Sequence, residues 1–306
     1  MANILPRNKQ IEVLQHLVEG NTLRSTVRLT GVHRTTIMNL MVAFGQKCKA
    51  FMDAQLRRLT LDHIECDEIW TFVAKKQARL TTDQKAECHD IGDVYLWTCL
   101  DKETKLVVSY LVGKRSADNA RRLMKDLAAR LVFPTPHQTD DHAFQVGLPI
   151  YVTQISTDGF AAYPEAVDLA FGGHVKYGQI IKDYRNATMI YTPSEMVGAE
   201  RKGIFGIRED EERTICTSHV ERHNLTIRTL MKRFTRLSLG FSKKLENLEA
   251  ACAVFLAYYN FCWRTRDANE GRTRLPAAMA AGVVDTLWSF EDLFDRVMGS
   301  GYAIAA

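Results

Sequence analysis

Three carboxylates stand far apart in the chain and in different local contexts. Asp67 and Asp158 lie in or directly after extended apolar segments, and Glu221 lies in a helical segment. Transfer of a phosphodiester uses two divalent ions, one to activate the attacking oxygen and one to stabilise the leaving oxygen. Mg²⁺ and Mn²⁺ prefer hard oxygen ligands, so several carboxylates must meet on a rigid frame. We therefore predict that these three residues are the catalytic residues and the ligands of a site for two Mg²⁺ or Mn²⁺ ions.

Asp67 lies between Ile64 and Trp70 in a segment that is predicted to form a strand. An unpaired charge in such a segment would be costly, and a bound cation would supply the missing partner. Because side chains alternate along a strand, Glu65 falls on the same face as Asp67 and Glu68 on the opposite face. The pattern alone does not decide between Asp67 and Glu65 as the first ligand.

Asp158 follows an apolar run and precedes Gly159, which places its carboxylate at the end of a strand. In the third segment, Glu221, Arg228 and Lys232 share one helix face. The carboxylate would hold metal, and the cations would hold nucleic-acid phosphates. Each residue also has a simpler interpretation: Asp158 lies in an ordinary turn, and Glu221 lies on a solvated helix surface. An apolar stripe lies beside that face and comprises Val220, Ile227, Met231 and Phe234.

The segments that must position these residues alternate between extended and helical patterns. Residues 63–76, 93–101 and 106–113 are rich in β-branched and aromatic side chains, and the last two are predicted to form a hairpin. Helical and extended segments then alternate to the helix that begins near Ser218. The order β-β-β-α-β-α-β-α, taken with the carboxylate positions, predicts an α/β fold, an RNase H-like mixed sheet flanked by helices.

Residues 8–50 predict three helices, of which the short middle one ends at Gly31. This layout is typical of a helix-turn-helix, whose last helix enters the major groove of DNA. Residues 1–60 contain nine Lys or Arg against three Asp or Glu, which supports DNA binding. The alternative is a helical cap on the larger domain. The predicted DNA-contacting residues of the last helix are His33, Arg34, Thr35 and Thr36.

Composition excludes some classes of protein. The chain has 306 residues and a formal net charge of +4, which permits one large core, a small extra domain and mild affinity for polyanions. Its seven cysteines include no C-x-x-C pair, so neither a disulfide framework nor a zinc finger is indicated. The sequence shows no long apolar stretch and no signal peptide, so we expect a cytoplasmic protein without membrane contact, associated with the nucleoid when bound to DNA.

Several stretches resemble one known family. They are CDEIW at 66–70, STDGFAAY at 156–163, residues 217–250, YYNFCW at 258–263 and residues 276–293. They look like the transposases of the insertion-sequence-one family, a group of DDE recombinases. The resemblance implies that Asp67, Asp158 and Glu221 are the DDE residues and that His219 is a possible auxiliary residue. It also implies DNA contacts by Asn224, Arg228, Lys232, Arg233 and Arg236.

The predicted organisation has three parts: a helix-turn-helix domain over residues 1–58, a DDE catalytic domain over 59–265 with an insertion at 181–213, and a C-terminal tail over 266–306. The expected partners are the terminal inverted repeats and the target DNA, both double-stranded, and further copies of the chain in a synaptic complex. Two alternatives are an RNase H-like nuclease without strand transfer and a domesticated or inactive DNA-binding regulator. His137, Asp140, Asp141 and His142 form a weaker candidate metal site, for which a solvated loop with two prolines is the simpler interpretation.

Overall fold

The computed structural model describes residues 5–87, 90–132, 153–182, 190–191, 196–197, 199–264 and 273–299. Its chain divides into two compact units. The first comprises Met1–Leu56, Ile69–Leu96 and Asn224–Ala306, and the second comprises Arg57–Glu68 and Trp97–His223. The weaker candidate metal site around His137 lies outside the described residues.

The second unit holds a mixed sheet, although the end of its first strand and the start of its second belong to the first unit. The described strands are β1 His63–Val73, β2 Gly92–Asp101, β3 Val107–Gly113, β4 Thr153–Asp158, β5 Val175–Lys182, β6 Ile190–Tyr191, β7 Met196–Val197 and β8 Ala199–Phe205. In the described residues this sheet has six strands in the order β3-β2-β1-β4-β5-β8, and β6 pairs with β7 separately. The pairs β1/β4 and β4/β5 are parallel, and β5/β8 is antiparallel.

The predicted hairpin is present between β2 and β3. Asp101 is buried at the end of β2, and its carboxylate accepts hydrogen bonds from the backbone N–H of Thr104 at 2.8 Å and from the Thr104 hydroxyl at 2.6 Å. Lys105 has a φ of 65° and completes the reversal. The polar turn residues therefore fix the register of two strands whose apolar side chains are buried.

Two helices of the second unit pack against each other, α5 Ala117–Ala128 and α6 Tyr163–Phe171. The Ser116 side chain caps α5 by accepting the N–H of Asn119 at 3.3 Å. Tyr163 at the start of α6 is fully buried, and its ring makes an edge contact with Trp97 of β2 at a centroid distance of 5.9 Å. Aromatic packing thus fixes α6 on the sheet.

The first unit is mainly helical. Its described helices are α1 Arg7–Val18, α2 Leu23–Thr30, α3 Arg34–Gln55, α4 Thr82–Glu87, α8 Leu245–Phe261, α9 Ala277–Ala280 and α10 Phe290–Met298. The helix α7 Ser218–Leu230 is divided between the two units, with the boundary after His223. The three helices predicted over residues 8–50 are present. The middle one ends at Gly31, whose φ of 72° is the left-handed conformation that favours glycine.

Packing of α3 against α8 explains why the two units differ from the predicted boundaries at 58/59 and 265/266. Both helices carry buried apolar side chains, and Phe51 of α3 makes an edge contact with Phe261 of α8 at a centroid distance of 5.3 Å. The backbones approach closely at Gly45, where an added Cβ would lie 2.6 Å from the carbonyl oxygen of Ala250. The first 56 residues therefore group with the C-terminal helices, a long-range arrangement that local periodicity does not reveal.

The region predicted as an insertion is partly built into the sheet. Within residues 181–213, β8 pairs antiparallel with β5, and Glu209–Thr214 forms a 3₁₀ helix. Residues 183–189, 192–195 and 198 lie outside the described residues. In the described part of the chain, no helix is both long and apolar enough to cross a membrane.

Candidate metal centre

Three carboxylates converge at the carboxyl end of β4. The pairing of β1 with β4 places Cys66 opposite Thr157, so Asp67 and Asp158 follow as neighbours on parallel strands. Ligand atoms of Asp67, Glu68 and Asp158 all lie within 4.8 Å of one another. The structure therefore brings together two of the predicted ligands and adds Glu68.

This cluster is electrostatically unfavourable on its own. Burial, reinforced by the charge of Asp158, raises the pKa of Asp67 to about 7. Burial also raises the pKa of Glu68 to about 8, with Asp158 and then Asp67 as the charged neighbours. Carboxyl groups with such raised pKa values hold protons near neutral pH unless a cation takes the place of the protons. Hard oxygen donors in this state fit a divalent metal ion.

Two basic side chains neutralise carboxylates in the cluster and beside it. Arg115 donates from Nη2 to Asp158 Oδ2 at 3.0 Å and from Nε to Glu68 Oε1 at 3.3 Å. Its guanidinium stacks on the ring of Phe160, 4.2 Å from the centroid. Lys182, the last residue of β5, donates from Nζ to Glu221 Oε1 at 2.7 Å. Sequence reasoning missed Arg115 and Lys182 because they become neighbours of the acids only through the sheet.

Glu221 lies in the first turn of α7, beside the cluster rather than within the group of three described carboxylates. Its Oε1 also accepts a hydrogen bond from the Thr217 hydroxyl at 3.1 Å. Its charge helps to raise the pKa of Asp67, as a smaller cause than burial and Asp158. The predicted third ligand therefore stands close enough to act on Asp67 electrostatically, with its carboxylate held by Lys182.

Glu65, the alternative to Asp67 as the first metal ligand, has a different environment. Its carboxylate is buried and accepts hydrogen bonds from the backbone N–H groups of His219 at 2.8 Å and Val220 at 3.0 Å. These groups lie at the start of α7, where backbone N–H groups have no partner within the helix. Its Oε1 lies 2.7 Å from His219 Nδ1. Cys216 also lies within 4.8 Å of this pair. Glu65 therefore caps α7, and Asp67 is the strand residue directed to the cluster.

Alternation of side chains along β1 did not predict that Glu68 joins the carboxylate cluster. Alternation predicts the face from which a side chain leaves the strand, and it predicts that Glu68 faces away from Asp67. It does not predict which carboxylates meet beside the end of a neighbouring strand, where Asp158 is located. In the structure Arg115 links Glu68 to Asp158. The signal in the sequence that could have indicated Glu68 as a member of the cluster is its position directly after Asp67.

The predicted DNA-contacting residues divide by exposure. His33, Arg34 and Thr35 are exposed, Thr36 is half-buried, and His33 Nδ1 accepts the N–H of Thr35 at 3.3 Å, which caps α3. In the last turn of α7, Arg228 is half-buried, and after α7 Lys232 and Arg236 are exposed.

Asn224 and Arg233 instead have packed environments. Asn224 is only 5% exposed. Arg233 donates from Nε to Ser242 Oγ at 3.0 Å, and its backbone carbonyl accepts the Thr71 hydroxyl at 2.6 Å. Burial lowers the pKa of the Arg233 guanidinium. Asn224 is thus buried, whereas Arg233 is half-buried and lines a cavity with Ser242; contact of these two residues with DNA stays a prediction.

No protein-family model matches the chain, and no curated protein matches it. Among solved structures, one match is described as "Mos1 transposase paired-end complex with left transposon end". It is 14% identical, covers 55% of this chain and 59% of that chain, and has a TM-score of 0.19. The match thus spans less than two thirds of the Mos1 chain. At this TM-score the likeness assigns neither a family nor an activity to this chain.

Proposed function

We propose that the protein is a DNA transposase of the DDE type, with an RNase H-like catalytic domain. The observation that carries the proposal is the convergence of Asp67, Glu68 and Asp158 at the end of parallel strands, with Glu221 beside them. The strand order β3-β2-β1-β4-β5, in which β1, β4 and β5 are parallel, supports the RNase H-like assignment. The sequence resemblance to insertion-sequence-one transposases supports the choice of reaction.

Asp67, Asp158 and Glu221 would hold Mg²⁺ or Mn²⁺, with Glu68 as a fourth candidate ligand. Two such ions would supply activation of the attacking oxygen and stabilisation of the leaving oxygen in phosphodiester cleavage and strand transfer. The chain's own part is to bring the carboxylates together. Arg115 and Lys182 are paired with Asp158 and Glu221 at 3.0 and 2.7 Å, so an incoming metal ion would compete with these two cations for the carboxylates.

DNA recognition is assigned to two exposed basic regions. The first is the start of α3, where His33, Arg34 and Thr35 are exposed at a helix N-terminus. We assign α2 and α3 to a helix-turn-helix that binds the terminal inverted repeats. The second is the segment after α7, where Lys232 and Arg236 would hold DNA phosphates. Joining two ends to one target requires at least a dimer of this chain in the synaptic complex.

Strand cleavage and joining test the proposal directly. Purified protein is incubated with Mg²⁺ and duplex DNA that carries the ends flanking its gene, and products are resolved on a denaturing gel. We expect a free 3′-OH at the element end and joined products. Asp158→Asn should abolish both, whereas Asp168→Asn, an exposed change on α6, should leave both intact.

The alternatives give different products in the same assay. Cleavage without joined products would identify a nuclease instead of a transposase. DNA binding without any cleavage, unchanged by Asp158→Asn, would identify a regulator.

A further inference from the structure

Two leucines in the connection between α7 and α8 are fully exposed. The relative exposure is 104% for Leu237 and 95% for Leu239, whereas the next large apolar side chain among the described residues, Leu169, reaches 67%. Burying one leucine side chain is worth about 1.5–3 kcal/mol. Single exposed leucines are common on protein surfaces, but two fully exposed leucines separated by one residue indicate a contact surface.

The segment that carries these leucines is anchored at both ends. Thr71 donates to the backbone carbonyl of Arg233 at 2.6 Å, and Arg233 donates to Ser242 at 3.0 Å. Phe241 packs against Phe72 with a centroid distance of 4.7 Å. The two leucines therefore project from a fixed base, and little conformational entropy is lost when a partner covers them.

The surroundings of the leucines are strongly basic. Residues 231–244 contain no Asp or Glu. A neighbouring cavity of about 540 Å³ is lined by Arg24 of α2 and Arg34 of α3, and Leu239 lines it too. A second copy of this surface would bring like charges together, so charge complementarity favours a polyanion with an apolar interior. The exposed cations of the segment are Lys232, Arg236, Lys243 and Lys244.

We infer that Leu237 and Leu239 form an apolar wedge that inserts between base pairs of duplex DNA. The surrounding cations bind the phosphates on either side of the inserted step. Apolar side chains that enter a base step unstack it and kink the duplex, and the bend allows more of the protein to contact the DNA. This inference rests on the proposed function, because DNA is taken as the partner.

The test uses the full-length protein and duplexes of the element end in which 2-aminopurine replaces one base at a time. Insertion unstacks the probe, so we expect its fluorescence to rise at one step with the wild-type protein. Leu237→Ala/Leu239→Ala should abolish that rise and weaken binding about tenfold, the net of lost leucine burial and recovered stacking. Its salt dependence should stay as in the wild type. Lys243→Gln should instead reduce the salt slope by about 1.

Controls separate the wedge from other roles of the two leucines. Leu169→Ala removes an exposed leucine elsewhere and should change neither fluorescence nor affinity. Both leucine variants should keep the wild-type circular dichroism spectrum, because the altered side chains are exposed. Wild-type protein that cleaves and joins its ends without any rise in 2-aminopurine fluorescence would overturn the wedge and leave the proposed function standing.

Two other results would also overturn the wedge. One is a double variant that changes only self-association in sedimentation while DNA affinity stays at the wild-type level. The other is wild-type protein that binds vesicles of anionic lipid through these leucines and shows no 2-aminopurine response. Failure of the wild type to bind or cleave end DNA at all would instead count against the proposed function.

Discussion

Replacing Asp67 with Asn should stabilise the metal-free protein, and more so as the pH rises. Asp67 has a pKa of about 7 in the folded protein against 3.8 as its ordinary value. A carboxyl group whose folded pKa is raised binds more protons in the folded state, so the free energy of unfolding falls as the pH rises from about 4 to about 7. The folded protein carries the full penalty above pH 7.

The size of the effect follows from the pKa difference. About three pKa units at about 1.4 kcal/mol each give an upper value of about 4 kcal/mol for Asp67. Glu68, with a pKa raised to about 8, acts in the same direction but shares its protons with Asp67, so the two contributions do not add. Asn cannot ionise, so Asp67→Asn should remove most of the pH dependence that Asp67 causes.

Urea unfolding in the presence of a chelator measures this prediction at pH 5, 6, 7 and 8 (about one pH unit apart, to span the shift). The difference in unfolding free energy between Asp67→Asn and wild type should grow with pH and reach about 2–4 kcal/mol at pH 8. Asp168→Asn, an exposed control on α6, should follow the wild type. A wild-type protein and Asp67→Asn with the same pH dependence would refute the reasoning that Asp67 is buried among other carboxylates.

Further changes test the surroundings of the cluster. Arg115→Gln should raise the affinity for Mn²⁺ about three- to tenfold in calorimetry, because Arg115 competes with the ion for Glu68 and Asp158; a lower affinity would contradict this role. Glu65→Gln should lower the unfolding free energy by about 1–3 kcal/mol and leave Mn²⁺ affinity near wild type; loss of Mn²⁺ binding with unchanged stability would make Glu65 a ligand. Gly45→Ala should destabilise the protein by about 1–3 kcal/mol in urea unfolding because an added Cβ would clash with the α8 backbone; no loss of stability would argue against that packing.

Much of the fold and part of the site could be predicted from local patterns. The hairpin of β2 and β3 and the end of α2 at Gly31 follow from strand-forming residues and from turn or cap residues. The convergence of Asp67 with Asp158 was expected from assigning both acids, one in a strand and one at a strand end, to a single metal site. The hairpin and the end of α2 depend on residues close in sequence, whereas Asp67 and Asp158 meet through the pairing of β1 with β4.

Features that depend on distant contacts were not predictable in this way. The helix that contains Glu221 ends at Leu230, so Phe234 is buried beyond its end rather than on its apolar stripe. Likewise β8 joins the main sheet, although its sequence shows no clear period. Arg115 and Lys182 come from a loop and from the end of β5, and only the folded sheet brings them to the carboxylates.

Asp67, Asp158 and Glu221 are proposed to hold the metal ions that act on a DNA phosphate. Sulfur substituted for a nonbridging oxygen of the scissile phosphate weakens contact with Mg²⁺, a hard ion, and is tolerated by the softer Mn²⁺. With end DNA carrying this substitution, we predict strongly reduced cleavage in Mg²⁺ and recovery in Mn²⁺, with no cleavage by Asp158→Asn in either ion. Equal cleavage of both substrates in Mg²⁺, or cleavage in the presence of a chelator, would contradict the claim.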